Sequence, residues 1–214
     1  MNTNIAATIQ KALEWRYAVK TFDADKKISK EQFSTILESA RLAPSSVGIE
    51  PWKFIIVENP EIRAKIREAS YGQTKVTDAS HLIVITHRTD AQNLVNEAVT
   101  RTAKNQGKTE ADLAGYRGML EGTVGQFSND SDLQAWLRAQ TYIPLGMMLE
   151  TAALLDIDAG PMEGFDRKAV DTILGLSSKN LASVTMVAFG YRGNDPFASL
   201  PKTRQSVQEV VVTV

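Results

Sequence analysis

Ala43-Pro44-Ser45-Ser46-Val47-Gly48-Ile49-Glu50-Pro51-Trp52 joins the exit of a helix to the entry of a strand. Pro44 stops the helix before it, because it lacks an N–H and its ring disfavours α geometry at the preceding residue. Upstream, Phe33, Ile36, Leu37 and Ala40 recur at helical spacing, and Ser29 with Gln32 forms a capping box that opens the helix. Downstream, Trp52-Lys53-Phe54-Ile55-Ile56-Val57 reads as a strand. Ser45, Ser46 and Gly48 place small donors and approachable backbone in the turn between them. By itself the turn is either structural punctuation or a ligand contact.

Working outward gives an α+β pattern in one domain, residues 1–214, without repeat, low-complexity tract or linker. Ile5, Ile9, Ala12 and Leu13 fit one face of a first helix. His81 to His87 and Ser183 to Gly190 read as further strands. Between them Asp90 to Gln106, Thr109 to Phe127 and Ser131 to Leu155 have helical periodicity. Only the last is expected as a core helix, burying Leu133, Trp136, Leu137, Ile143, Met147 and Leu154, with its continuity in question at Pro144 and Gly146. Gly115, Gly118, Gly122 and Gly125 make the region of about 90–130 a flexible helical lid. Pro161-Met162-Glu163-Gly164 reads locally as a tight connection between helices. From about residue 193 a polar, proline-bearing arm leads to Val210–Val214, an apolar terminal strand that needs a sheet edge to pair with.

Composition excludes several classes. The 214 residues are 43 % hydrophobic, enough for one well-cored domain. Lys and Arg number 24 against 25 Asp and Glu, a formal charge of −1, so no global basic field exists to hold nucleic acid. The N-terminus has no basic, then apolar, signal pattern, and no apolar run reaches the length of a membrane span; no membrane partner is expected, and the cytoplasm is the expected address. The chain has no cysteine, which removes thiol redox, iron–sulfur ligation and a Cys nucleophile. Any electron transfer then requires an added cofactor.

Other catalytic constellations are absent from the sequence. His81 and His87, the two histidines, lie at opposite ends of one predicted strand, about 20 Å apart at the usual rise, so a hydrogen-bonded structural role is expected for each and no metal site. The helical glycines neither follow a strand nor make Gly-x-Gly-x-x-Gly, and neither a phosphate-binding loop nor a nucleophile elbow occurs.

Five short motifs occur in a fixed order: Arg16-Tyr17-Ala18-Val19-Lys20, the Pro44 to Gly48 turn, Gln73-Thr74-Lys75, Pro161-Met162-Glu163-Gly164, and Lys202-Thr203-Arg204. Their order and spacing resemble the FMN-dependent nitroreductase family over about residues 9–212. The resemblance implies a nitroreductase-like fold: a central, mostly antiparallel sheet flanked by helices, in an intertwined homodimer with C-terminal arm exchange. It implies FMN as cofactor, NADH or NADPH as reductant, and small planar electron acceptors such as nitroaromatics or quinones. On this resemblance Arg16, Lys202 and Arg204 hold the FMN phosphate, with Tyr17 and Ala18 beside them. Lys20 and Lys75 face the N1–C2=O edge of the ring, and Gln73 its pyrimidine rim. Pro161 packs against the ring, Met162 is a cofactor-binding neighbour, backbone N–H groups of Glu163 and Gly164 face N5 and O4, and Pro44, Ser45, Ser46 and Gly48 come from the second subunit. The chemistry sits at flavin N5, so no side chain is a catalytic residue in its own right; Lys20, Lys75 and Glu163 support it.

The residue types suit these roles. Guanidinium forks and ammonium groups match a phosphate dianion. An ammonium about 4 Å from the ring edge, at an effective dielectric near 20, contributes up to ~4 kcal/mol, which caps the rise in a two-electron potential at ~90 mV. Three positions depart from the family pattern: Ala18 where serine is common, Gly48 where asparagine is common and Glu50 where glutamine is common. Ala18 removes one phosphate hydrogen bond. The implied activity is hydride transfer from NAD(P)H to flavin and then to the acceptor, by a ping-pong cycle. The alternative is a flavin-binding or sensor protein without turnover, distinguished by whether NAD(P)H bleaches the flavin.

Overall fold

The computed structural model describes residues 3–214. In chain order the elements are α1 (Thr3–Trp15), α2 (Lys30–Arg41), β1 (Trp52–Ile56), α3 (Pro60–Ala69), α4 (Lys75–Asp78), β2 (His81–Arg88), α5 (Ala91–Gln106), α6 (Ala114–Gly125), α7 (Asp130–Gln140), α8 (Tyr142–Leu154), β3 (Asp158–Met162), α9 (Arg167–Leu174), β4 (Leu181–Gly190) and α10 (Val207–Val210). The strands form one sheet in the order β1-β2-β4-β3, every neighbouring pair antiparallel.

Helices cover both faces of this sheet, which is why its two central strands are buried almost without a break rather than at every second residue. Leu82, Val84, Met186 and Ala188 turn to one layer with Ile66, Val76, Phe165 and Val170. Ile83, Ile85, Val187 and Phe189 turn to the other, against Phe33, Ile36, Ala40, Leu145 and Met148 of α2 and α8. The Ser29–Gln32 capping box opens α2 as its sequence implies.

Several elements differ from the sequence expectation. The helix expected over 131–155 is two helices parted at Thr141; Pro144 falls in the first turn of the second, where a missing N–H leaves no bond unmade. Of its expected core residues Leu137 is buried, but Ile143 and Leu154 are exposed. The region 90–130 builds a core of its own, with Val95, Ala98 and Val99 of α5 packed on Leu113 and Leu120. In α1 Ala12 is buried against the body, whereas Ile5 and Leu13 are exposed. The segment holding Pro161 and Met162 is no helix connection but the edge strand β3. The terminal valines make no strand within one chain: Ser206 and Glu209 form a capping box that winds Val207–Val210 into a helical turn, and Val211–Val214 are exposed.

After α1 the chain runs along the outer edge of β3. Ala18 bridges Ala159, and Val19 donates its N–H to the Ala159 carbonyl at 3.1 Å. It then turns beside the end of β4, where Gly193 donates to Thr21 at 3.0 Å and Asp23 donates to Tyr191 at 2.8 Å. Gly160 permits this approach, since a Cβ there would lie 2.7 Å from the Val19 carbonyl oxygen and 3.3 Å from the Phe22 ring. Gly160→Ala is therefore expected to destabilise the protein by about 1–3 kcal/mol, because backbone rather than a side-chain tip must move. Urea denaturation checks this.

Candidate functional site

Two groups of cations flank the segment that runs beside strand β3, Arg16 with Lys202 and Arg204, and Lys20 with Lys75. At the α1 end, the Lys202 ammonium donates to the carbonyls of Leu13, at 2.7 Å, and Glu14. These are carbonyls of the last helical turn, where unpaired acceptors and the helix dipole attract a cation. Arg204 and half-buried Arg16 complete the group around an open cavity of about 740 Å³, whose apolar wall includes Ile9 and Leu13. Arg16 Nε is buried and has no hydrogen-bond partner. Burial, then the charge of Arg204, lowers the Arg16 pKa; burial, then Arg16 and Arg204, lowers that of Lys202. Glu14 also lines the cavity, yet among the described residues no carboxylate pairs with any of the three cations within 4.0 Å.

At the other end, Lys75 opens the single turn α4 and is only 3 % exposed. Burial, with the charge of Lys20 adding to it, brings its amine down from 10.5 to about 8. Gln73 donates its amide to Ser70 at 3.0 Å and to the Gly164 carbonyl at 2.7 Å, tying the Lys75 loop to the residues that follow β3. Among the described residues the N–H groups of Glu163 and Gly164 reach no protein acceptor. The Glu163 side chain pairs with Arg167 at 3.2 Å on the surface. Pro161 is half-buried, while the Met162 side chain belongs to the core and its carbonyl accepts from Thr185 at 2.9 Å.

Residues that the motifs did not flag hold these groups in place. Arg67 donates to the Gly72 carbonyl at 3.1 Å and to Thr77 at 3.2 Å, bracing the loop of Gln73 and Lys75. The Arg192 guanidinium bonds Asp158 at 2.8 Å and lies 4.3 Å from the Trp15 ring and 4.8 Å from that of Tyr17. Asp195, 6 % exposed, accepts the Lys20 amide at 2.7 Å. The Tyr17 hydroxyl is pushed up to about 12 by burial and by Asp195. A sequence signal existed for Asp195, the turn-forming Asp195-Pro196 dipeptide. None existed for Arg67.

Pro44, Ser45, Ser46 and Gly48 are not brought to this cluster by one chain. Their turn enters β1 at the corner of the sheet diagonally opposite Gly160, three strands across and on the order of 20 Å away. Ser45 Oγ accepts the Glu50 amide at 2.8 Å, and the Ser46 amide donates to Gln140 at 2.8 Å. Tyr116 and Arg101 bind the carbonyls of Val47 and Gly48 at 3.1 and 3.0 Å. Val47 (φ 52°), Gly48 (φ 70°) and Glu50 (φ 47°) all take left-handed backbone, so α5, α6 and α7 hold a strained turn. The histidines serve separately: His81 stacks on Phe33 at 3.7 Å, and His87 Nε2 meets Gln134 Oε1 at 3.1 Å.

The sequence profile described as the Nitroreductase family matches residues 13–191. A Staphylococcus saprophyticus protein named "Putative NAD(P)H nitroreductase" is 39 % identical over 216 residues, covering 97 % of this chain and 98 % of its own length. A nitroreductase-like protein of Streptococcus mutans shares the fold with a TM-score of 0.84 at 20 % identity, over 98 % of this chain and 99 % of its own. A "putative nitroreductase in complex with FMN" from Exiguobacterium sibiricum has a TM-score of 0.80 at 22 % identity, over 96 % and 97 %.

Lys75 makes a prediction independent of any ligand. Its folded pKa lies below that of the unfolded chain, so between about pH 8 and 10.5 only the unfolded state keeps the proton, and this contribution to stability rises with pH across that window. Below pH 8 the full penalty of a buried ammonium applies. Lys75→Met is expected to stabilise the ligand-free protein at pH 7 by on the order of 1–2 kcal/mol, with the gain shrinking toward pH 10. Chemical denaturation at the two pH values measures it.

Proposed function

Because the chain belongs to the nitroreductase family, we propose that it is an NAD(P)H-dependent FMN oxidoreductase that reduces small planar, electron-poor acceptors such as nitroaromatics or quinones. The observation that carries the reading is the gathering of Arg16, Lys202 and Arg204 around one cavity with no carboxylate paired to them among the described residues. Like charges held together with a buried, unpartnered guanidinium nitrogen call for a dianion. A flavin phosphate fits that donor set.

The second group fits the ring. Lys20 and Lys75 supply positive charge on one side, and the free N–H groups of Glu163 and Gly164 supply donors on the other. When bound, FMN supplies two-electron transfer between a reduced nicotinamide and an acceptor that occupy one slot in turn, the basis of a ping-pong cycle. The protein's residues hold the phosphate, orient the ring edge and favour negative charge there. Glu163, paired with Arg167 on the surface, is assigned no proton transfer of its own.

We infer a homodimer in which the Pro44 to Gly48 turn of one subunit completes the site of the other. Supporting this are the separation of that turn from Lys75 within one chain, the exposed Ile5 and Leu13 of α1, and the exposed terminal valines. A reductase that draws on NAD(P)H is assigned to the cytoplasm. Among the described residues no helix is long and apolar enough to cross a membrane.

The purified protein is expected to be yellow, to release FMN on acid treatment, and to bleach on anaerobic addition of NADH or NADPH. Release of FAD, or no uptake of added FMN, overturns the assignment. Lys202→Ala with Arg204→Ala is expected to weaken FMN by about 2–4 kcal/mol in a fluorescence titration while the chain stays folded. Removal of Val210–Val214 is expected to weaken the dimer in sedimentation without removing these cations; an unaltered dimer rules out a role for the terminal valines in association.

A further inference from the structure

We propose that Asp195 is a positioning residue for the flavin site: its carboxylate ties the loop carrying Lys20 to the root of the arm carrying Lys202 and Arg204, so that cations for both ends of the cofactor are set as one unit. The proposal rests on the FMN reading above and extends it to a residue outside the five motifs.

Asp195 Oδ2 accepts the amides of Lys20, at 2.7 Å, and Thr21, at 3.2 Å, across 175 and 174 residues of chain. Its Oδ1 accepts the Phe197 amide at 2.9 Å, which winds the arm into a turn that continues with Ala198 donating to the Asp195 carbonyl at 3.1 Å. Gly193 donates to Thr21 at 3.0 Å and closes the junction from its other side. An ionised carboxylate accepts at both oxygens without presenting a donor of its own, which suits this arrangement of three N–H donors. Asp195 makes no ion pair within 4.0 Å among the described residues. Burial raises its pKa, but the amides of Lys20, Phe197 and Thr21 outweigh that and leave it below the ordinary carboxylate value.

The arm reaches Lys202 only seven residues after Asp195, and there the ammonium meets the end of α1. Two anchors therefore bracket the segment between them: Asp195 on the Lys20 loop and Lys202 beside Arg16. Releasing the first frees both the direction of the arm and the backbone from which Lys20 projects.

Amide hydrogen exchange in protein stripped of flavin tests the tie itself. In Asp195→Ala, the Lys20, Thr21 and Phe197 amides are expected to exchange about tenfold or more faster, the change that follows loss of a charge-assisted bond, while the Val19 amide on Ala159 keeps its protection. Unchanged exchange at Lys20 and Thr21 overturns the proposal. In flavin-loaded protein the same substitution is expected to lower the flavin potential, and to add no further drop in a Lys20→Met background; an equal drop in both backgrounds shows that Asp195 does not act through Lys20 and overturns it. If Asp195→Ala does not fold, the isosteric Asp195→Asn carries both measurements, with smaller effects because one accepting oxygen remains. Failure of the wild-type protein to take up FMN counts against the functional reading, and the exchange experiment still decides the tie.

Discussion

Val19 donates its N–H to Ala159 and brings its carbonyl to within 2.7 Å of where a side chain at residue 160 would begin. A Cβ at that distance from a backbone oxygen is essentially unknown, so the segment after α1 can lie on β3 only because residue 160 is glycine. The candidate site follows from this approach. It fixes Arg16 and Lys20 on either side of a fully buried Val19, sets Lys20 within electrostatic reach of Lys75, and offers Thr21 and Asp23 as partners for the residues that leave β4. A sheet of four strands thereby gains a partial fifth at its outer edge, and the cations ride on that addition.

Such a concentration of charge opposes folding. Lys75 has its amine pulled toward neutrality by burial and by a second lysine, and Arg16 has a buried nitrogen that donates to nothing. A protein selected for stability alone would place a carboxylate nearby, as this chain does around Arg88, which binds both Asp90 and Glu97. The contrast is informative because the same fold solves the same electrostatic problem at one place and leaves it open at another. Local destabilisation that a ligand relieves is the usual character of a binding site.

How much of this was legible from sequence depended on the range of the interaction. Local signals held: the Ser29–Gln32 box opens α2, and the apolar runs at Trp52, His81 and Ser183 all lie in strands. Strand β3 was hidden because Asp158, Gly160 and Pro161 are poor strand formers; an edge position tolerates them, and long-range pairing with β4 overrides the local preference. The capping box of Ser206 and Glu209 winds only Val207–Val210 into a helical turn; Val211–Val214 follow it without pairing to a strand of their own chain. In the site, the order of the motifs flagged the charged residues; Asp195 was marked only as a turn former by the proline after it, and its bonds to backbone amides 174 and 175 residues away, like those of Arg67 to its loop, carry no local sequence signal.

Lys202 joins the arm to the end of α1: its ammonium donates to the carbonyls of Leu13 and Glu14, and since an ammonium has three donors, two such bonds leave one unused. On the proposed reading that third donor is the one a phosphate beside Arg16 would take, and the anion would at the same time relieve the repulsion of Lys202 from Arg16 and Arg204. The two roles are compatible, because the bonds to the helix end, with its partial negative charge, need not break for the third to form. With Asp195 holding the other end of the segment, the lysine has only a short, fixed span in which to reach both.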